Sequence, residues 1–211
     1  MFLATDGSDG SARNGGLPWD PFKAIVAPRP IGWITTLTPG GVVNLAPYSY
    51  FNAVGDRPNV VMFSSSGRKD SQRNAEATRE FVCNLATWDL REQMNGTSAP
   101  FARGVNEMEK TGLAAAPSRL VKPPRVKDSP CALECKWLQT VRLSDIEGRV
   151  TERYVVFGQV VGVYINDDFI RDGKLDTAAM RPIARAGYHD YFVGTPETRF
   201  SLTRPKGGGA D

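Results

Sequence analysis

The apolar positions of the chain fall in short runs rich in β-branched and aromatic residues, and glycine and proline separate these runs. Such runs predict β-strands, and the separators predict turns. Clear turns are expected at Pro39-Gly40-Gly41, Asp56-Arg57-Pro58 and Asp172-Gly173. The predicted strands span residues 31–38, 42–45, 48–54, 59–63, 80–86, 131–141 and 153–165.

Helical signals are fewer than strand signals. Residues 70–79 combine good helix formers with Asp70 at a position suited to cap the helix N-terminus. Residues 89–112 are expected to be partly helical, and the proline-rich residues 113–128 are expected to cross the surface. Because the strands do not alternate regularly with helices, the pattern predicts a mainly β fold, an antiparallel β-barrel with peripheral helices.

The length of 211 residues suits one domain. We expect residues 21–203 to form that domain. Residues 1–20 and 204–211 are expected to be a flexible N-terminal arm and a flexible tail, since both are rich in glycine and small polar residues. Gly158 and Gly162 lie inside the last long strand and are expected to mark bends in a curled sheet.

Charge and composition exclude several partners. The net charge is +3, with basic and acidic residues interleaved, which is too weak a signal for nucleic acid. No apolar run approaches the roughly 20 residues that cross a membrane, and no secretory signal is visible. The three cysteines are read as reduced thiols in a cytoplasmic protein. Cys131 and Cys135 have no nearby histidine or further cysteine, so no metal site is expected.

The sequence carries few residues and motifs that are typical of catalysis by side chains alone. His189 is the one histidine, and the nucleophile-elbow, zinc-protease, Walker and dinucleotide glycine motifs are all missing from the sequence. Catalysis is therefore expected to depend on a cofactor. His189 is a candidate for orienting a substrate, with a structural histidine as the alternative.

Three segments carry candidate chemistry. In Pro28–Thr36 the prolines hold Arg29 extended, which suits an anion, although a surface arginine would look the same. In Asn44–Asn52 small polar residues lie beside aromatic ones, which suits a flat ring but also a core strand. In Ser64–Ser71 hydroxyls, a lysine and a helix start converge, which suits a phosphate but also an ordinary polar loop.

Taken in order, these segments resemble the flavin reductase-like family of FMN-binding split barrels, the group that includes flavoredoxin. The resemblance runs through PRPIGWITT (28–36), NLAPYSYFN (44–52), SSSGRKDSQRN (64–74), EFVCNLA (80–86), SPCALECK (129–136) and FGQVVGVYI (157–165). It implies a Greek-key antiparallel split barrel that forms a homodimer, with FMN at or near the interface between the two subunits.

The resemblance also implies site residues. Thr35 and Thr36 would contact the flavin side of their strand. The isoalloxazine would be lined by Asn44, Ala46, Pro47, Tyr48 and Ser49. The ribityl chain and phosphate would be reached by Ser64, Ser65, Ser66, Lys69, Asp70 and Ser71. Arg29, Arg185 and Tyr188 would lie near the same pocket. Ser71 stands where the family pattern leads us to expect threonine, and the hydroxyl is kept.

The implied activity is hydride transfer from NADH or NADPH to flavin, and onward to an unidentified acceptor, which could be free flavin, oxygen or a protein. Two alternatives remain open at this point. One is an FMN electron carrier like flavoredoxin, with no nicotinamide site of its own. The other is a non-catalytic FMN-binding module. A related barrel family oxidises pyridoxamine phosphate, but there the likeness is limited to the fold.

Overall fold

The computed structural model describes residues 2, 5 and 17–205, so most of the expected arm and most of the expected tail lie outside the described residues. The helices of the described part are α1 (Phe22–Ile25), α2 (Asp70–Thr78), α3 (Arg91–Gly96) and α4 (Glu107–Lys110). Its strands are β1 (Arg29–Pro30), β2 (Gly32–Leu37), β3 (Val43–Tyr48), β4 (Phe51–Asp56), β5 (Asn59–Ser66), β6 (Glu80–Leu85), β7 (Ala115–Ala116), β8 (Arg125–Val126), β9 (Cys131–Ser144), β10 (Val150–Ile165), β11 (Ile170–Arg171), β12 (Lys174–Leu175), β13 (Ile183–Arg185) and β14 (Tyr191–Val193).

Seven antiparallel strands form the main sheet, in the order β3-β2-β6-β9-β10-β5-β4. The sheet curls back on itself. Tyr48 belongs to the first strand of this order and Phe63 to the sixth, yet their ring centroids lie 4.8 Å apart. Phe63 also meets Phe81 of β6 edge to face at 5.5 Å, and Phe63 and Phe81 are completely buried. These rings fill the inside of a β-barrel, as the strand pattern predicts.

The bends expected at Gly158 and Gly162 are confirmed. The pairing of β10 with β9 shifts register between Phe157 and Gly158, and again between Val160 and Gly162. A Cβ at position 158 would lie 2.3 Å from the ring of Phe81. Glycine is needed there because the ring occupies the space that any side chain would take.

Several boundaries differ from the sequence prediction. Strand β5 continues through Ser66, because Ser64–Ser66 pair with Val155–Arg153 of β10, so the polar loop begins only at Gly67. Helix α2 is capped by Lys69 in an extended conformation, so the prediction of Asp70 as the cap is wrong. Asp70 is instead the first helical residue, where its charge favours the positive helix end.

A smaller sheet, β1-β13-β14, stands beside the barrel and carries the C-terminal part of the chain. The backbone N–H of Ile183 donates to Ala86 O at 3.0 Å, which ties this sheet to the end of β6. Helix α1 packs on the loop that follows β13, since a Cβ on Gly187 of that loop would lie 2.6 Å from the Cβ of Ala24 in α1. The smaller sheet thus places α1 and residues 185–191 together at one mouth of the barrel.

The segment between β6 and β7, which contains α3 and α4, packs on the side of β2 and β3 where Trp33 lies. Trp33 is completely buried there, and its indole N–H donates to Thr97 Oγ1 at 2.9 Å. Met94 and Met108, from α3 and α4, belong to the same apolar cluster. This packing fixes the loop after α3 next to the outward edge of β3.

Candidate functional site

The main cleft is an open depression of about 650 Å³ at the edge of the barrel. Six parts of the chain surround it, namely β3 with the turn after it, the end of β5, the start of α2, the loop that follows α3, the start of α4 and the start of β10. Ten of the residues expected at the flavin line it: Asn44, Ala46, Pro47, Tyr48, Ser49, Ser64, Ser66, Lys69, Asp70 and Ser71. A volume of this size lies in the range of pockets that bind cofactors.

The strand geometry of β5 decides which serines face the cleft. Side chains alternate between the two faces of a strand, so Ser64 and Ser66 line the cleft while Ser65 turns into the barrel. Ser65 is completely buried, and its hydroxyl donates to Gly67 O at 2.8 Å. Ser65 therefore closes the turn after the strand instead of lining the cleft.

The start of α2 forms the polar end of the cleft. The first N–H groups of a helix have no partner inside the helix, and the helix dipole makes that end positive. Lys69, Ser71 and Arg73 line the cleft at this end, and Arg153 joins them because it pairs with Ser66 across the β5–β10 ladder. Hydroxyls, cations and free N–H groups together suit a phosphate.

The charge of this end is predominantly positive. Lys69, Arg73, Arg103 and Arg153 line the cleft, against the carboxylates of Asp70 and Glu107. Asp70 pairs with Arg103 at 3.6 Å. Within residues 17–205, none of the ion pairs involves Lys69, Arg73 or Arg153. Their charges are therefore available to an anionic ligand.

A buried network of amides and hydroxyls holds Ser71 in place. The Asn44 side-chain amide donates to Ser71 Oγ at 2.9 Å and to Thr36 Oγ1 at 3.3 Å. The Asn74 amide donates to the same Thr36 oxygen at 3.1 Å. Thr36 is completely buried, so it supports Ser71 and Asn44 from behind the cleft wall.

Thr35 faces the other side of β2. Its hydroxyl accepts from the Asn84 amide at 2.8 Å, and Asn84 also donates to Trp33 O at 2.9 Å. The Asn84 oxygen accepts from the Val126 N–H at 2.8 Å. Thr35 is completely buried in this cross-link. Thr35 and Thr36 thus belong to the framework, and a flavin contact by either one stays a prediction.

Tyr48 forms part of the cleft floor. Its hydroxyl lies close to the hydroxyls of Ser71 and Ser65. Burial raises the pKa of Tyr48, and the nearby charges of Asp70 and Glu107 raise it further, while the two serine contacts lower it in part. The phenol therefore stays protonated and can donate a hydrogen bond at any ordinary pH.

Glu107 also lines the cleft, although no pattern in the sequence singled it out. Its carboxylate accepts from the Leu45 N–H at 2.8 Å. The Leu45 side chain is buried, but its backbone N–H lies on the open edge of β3, the end strand of the sheet, so the N–H needs a partner from outside the sheet. Burial raises the pKa of the Glu107 carboxyl. The hydrogen bond from Leu45 lowers this pKa in part, and the nearby charge of Asp70 raises it.

A second depression, the antechamber, lies beside the main cleft. It holds about 380 Å³, and Pro47, Ser49, Tyr50 and Ser98 line both spaces. Its far wall is formed by α1, the start of β1, the end of β13 and the loop after β13. This wall carries Lys23, Arg29, Arg185 and Tyr188.

Two arginines hold the antechamber wall together. The Arg29 guanidinium donates to the carbonyls of Lys23, Val26 and Ala186, and the Arg29 side chain is buried. Arg185 donates to Tyr191 Oη at 2.6 Å and to the Tyr188 carbonyl. Arg29 therefore joins α1 to the C-terminal loop. Its expected role as an anion contact stays a prediction.

A third depression, the recess, lies beyond the antechamber. It holds about 400 Å³ and shares Met94, Asn95, Arg185 and Tyr191 with the antechamber. His189 lies in the recess and is exposed. His189 is thus separated from the main cleft by the antechamber, and its role in catalysis stays a prediction.

Some cleft residues were not predicted from the sequence, and they differ in whether a local sequence signal exists for them. Arg73 lies four residues after Lys69, and this helical spacing could have predicted it. Arg103, Glu107 and Arg153 carry no local signal, because long-range packing brings them to the cleft. None of the helices described in residues 17–205 is long and apolar enough to cross a membrane.

Comparisons with known proteins identify the family of this chain. The family described as "Flavin reductase like domain" matches residues 26–179, more than half of the chain. A protein of Aquifex aeolicus is 37% identical over 184 residues, which cover 84% of this chain and 90% of that protein.

Two solved structures are also similar. Nitrilotriacetate monooxygenase component B from Bacillus cereus is 28% identical with a TM-score of 0.80, covering 90% of this chain and 96% of that one. A split-barrel protein from Shewanella frigidimarina is 22% identical with a TM-score of 0.78, covering 96% of this chain and 100% of that one, and shows the fold. The chain therefore belongs to the flavin reductase-like family, and its fold is the antiparallel split barrel of that family.

Proposed function

We propose that the main cleft binds FMN and that the protein uses it to pass hydride from NADH or NADPH to an acceptor. The observation that carries the proposal is the polarity of the cleft from one end to the other. Its α2 end combines Lys69, Ser71, Arg73 and Arg153, which suit a phosphate. Away from α2 the cleft is lined by Ala46, Pro47 and Tyr50, and the antechamber lies beside it, since Pro47 and Tyr50 line both.

The cleft residues fit FMN in size and in donor chemistry. The phosphate would be held by Lys69, Ser71, Arg73 and Arg153, and the ribityl hydroxyls by Ser64 and Ser66, whose side chains line that part of the cleft. Tyr48 would donate a hydrogen bond, because its pKa is raised by burial. When bound, FMN supplies a ring that can take up and release hydride or single electrons.

The antechamber gives a second molecule access to the ring end of the cleft. Pro47 and Ser49 line both spaces, so a nicotinamide in the antechamber would face the end of the cleft away from the phosphate site. Lys23, Arg29 and Arg185 would favour an anionic donor there. The Bacillus cereus relative is a component of a monooxygenase, which supports a redox role over a purely structural one.

The test is the absorbance spectrum of the purified protein, followed by anaerobic addition of NADH or NADPH. We expect flavin bands that bleach when the nucleotide is added. Bands that persist with either nucleotide, but bleach with a reduced ferredoxin-like protein, would replace the proposal with an electron carrier. A flavin that no donor reduces would point to a binding module. A protein that takes up no FMN would refute the flavin site.

We also propose that two copies of the chain associate. An apolar depression beside the smaller sheet is lined by Phe51, Leu133, Ile183, Phe192 and Val193. Exposed apolar surface of this kind is typical of protein interfaces. Light scattering after size exclusion should give twice the 23.0 kDa of one chain. A mass of one chain at micromolar concentration would refute the dimer.

A further inference from the structure

Two side-chain amides and one hydroxyl lie behind the α2 end of the main cleft. Thr36 Oγ1 accepts from the Asn44 amide at 3.3 Å and from the Asn74 amide at 3.1 Å. A hydroxyl oxygen has two lone pairs, so both lone pairs of the Thr36 oxygen are occupied. Thr36, Asn44 and Asn74 are all buried, so water has little access to these bonds. The three side chains therefore hold one another in one arrangement.

This arrangement sets the direction of the hydrogen bond between Asn44 and Ser71. The amide nitrogen of Asn44 carries two hydrogens, of which one goes to Thr36 Oγ1 and the other to Ser71 Oγ at 2.9 Å. Ser71 is thus the acceptor in its bond with Asn44. An amide nitrogen cannot accept a hydrogen bond in return, so the single hydrogen of the Ser71 hydroxyl must go to a different acceptor.

Two kinds of acceptor are within reach of the Ser71 hydrogen. One is the hydroxyl oxygen of Tyr48, which lies close to Ser71, and the other is a ligand in the cleft that Ser71 lines. A phosphate oxygen is the better acceptor, because hydrogen bonds to charged groups are roughly twice as strong as neutral ones. Lys69 and Arg73 line the same end of the cleft and favour an anion there. Ser71 is therefore arranged to donate to an anionic group.

We propose that Thr36 is a positioning residue of the phosphate site, which acts through Asn44 to make Ser71 a hydrogen-bond donor to the FMN phosphate. The inference rests on the proposed function, because the ligand is FMN in the main cleft. It assigns part of the preference for a phosphorylated flavin to a residue behind the cleft wall. It also gives Asn44 a role at the phosphate, where the family resemblance implies one at the isoalloxazine.

The direct test compares the affinities of the flavin-free protein for FMN and for riboflavin, which lacks the phosphate, in fluorescence titrations. Thr36→Val removes the acceptor that the two amides share and keeps a branched side chain. We expect FMN binding to weaken about tenfold, as the loss of a charged hydrogen bond predicts, and riboflavin binding to stay within about twofold. Thr36→Ser keeps the hydroxyl and should retain the wild-type ratio of the two affinities. Wild-type FMN affinity in Thr36→Val would overturn the inference.

Thr35→Val is the matched control. Thr35 precedes Thr36 in β2 and is also completely buried, and its hydroxyl accepts from the Asn84 amide at 2.8 Å. Among the described hydrogen bonds, the Thr35 side chain has none with Asn44 or Ser71. We expect Thr35→Val to lower stability without changing the ratio of FMN to riboflavin affinity. A change of this ratio as large as in Thr36→Val would mean that general damage to β2 is responsible, and it would refute the positioning role.

A double-mutant cycle tests whether Thr36 acts through Ser71. Ser71→Ala removes the donor itself, so adding Thr36→Val to it should weaken FMN binding no further. Losses that add in the double variant would show that Thr36 acts by another route and would overturn the inference. Asn44→Ala removes the donor to Ser71 and should show the same lack of additivity with Ser71→Ala. This second cycle keeps the inference testable if Thr36→Val does not fold.

The same titrations distinguish this inference from the proposed function. A wild-type protein that binds neither FMN nor riboflavin refutes the flavin site, and the role of Thr36 falls with it. A protein that binds FMN, and whose Thr36→Val variant keeps the wild-type ratio of FMN to riboflavin affinity, leaves the flavin site standing and refutes only the positioning role.

Discussion

Glu107 links the stability of the cleft to pH, and two substitutions separate its two effects. Its carboxylate is the acceptor for the Leu45 N–H at 2.8 Å, and Leu45 is completely buried. In Glu107→Ala that N–H loses its partner, which costs about 1–3 kcal/mol for a buried donor. For a chain of this length, a loss of about 2 kcal/mol lowers Tm by roughly 4–8 °C.

Glu107→Gln keeps an oxygen that can accept from Leu45 and removes the buried charge. Burial raises the pKa of Glu107 in the folded protein above its ordinary value of 4.5. The stability that this group contributes is therefore fully present below pH 4.5 and is lost as pH rises through the folded pKa. The glutamine variant does not titrate, so its stability relative to the wild type should increase between pH 4.5 and pH 8.

Urea unfolding of the three proteins at both pH values is the assay, with Glu109→Ala as the control on the same helix. The Glu109 side chain is exposed and accepts only from the Asn106 amide among the described side-chain hydrogen bonds, so its loss should cost little. The reasoning fails if Glu107→Ala destabilises no more than the control. It also fails if the difference between Glu107→Gln and wild type is the same at both pH values.

Three further outcomes are expected. Arg153→Met should weaken FMN binding about five- to thirtyfold and leave riboflavin binding unchanged, because the Arg153 charge lies at the proposed phosphate end of the cleft. Equal losses of affinity for both ligands in fluorescence titrations would contradict this. Gly158→Ala should destabilise by about 1–3 kcal/mol, since the new Cβ would lie 2.3 Å from the Phe81 ring. Gly40→Ala is the control in the same thermal melts, because a Cβ at position 40 would meet its nearest atom only at 3.8 Å. A similar loss of stability in both variants would refute the overlap with Phe81. Asn84→Ala removes three buried hydrogen bonds and should cost about 2–5 kcal/mol in urea unfolding, where a loss below about 1 kcal/mol would show that water replaces them.

Local chemistry in the sequence was enough to predict the main strands and α2. The hairpin around Gly40 is read directly, because Pro39-Gly40-Gly41 can only turn and the flanking residues favour strands. The same holds for the start of α2, where residues suited to a phosphate precede a helix. These signals involve residues close in the chain, so neighbouring side chains and backbone preferences suffice to reveal them.

The strand alternation inside the serine segment could not be read without the fold. Ser64, Ser65 and Ser66 look equivalent in sequence, and only pairing with β10 sets Ser65 into the barrel and its neighbours into the cleft. The family resemblance implied a flavin contact for Thr35 and Thr36, and the fold places both in buried hydrogen-bond networks. Which face is buried depends on the neighbouring strands and helices, which are distant in sequence.

The sequence by itself determined the strand-rich fold and the polar segment before α2, because each follows from residues near one another in the chain. Only the tertiary structure brought Glu107 and Arg153 to the cleft and joined α1 to the loop after β13 through Arg29. The antechamber and the recess beside the cleft are likewise formed only by the tertiary structure. The physical reason is that these contacts come from curling a sheet and packing segments up to 157 residues apart, which no local preference encodes.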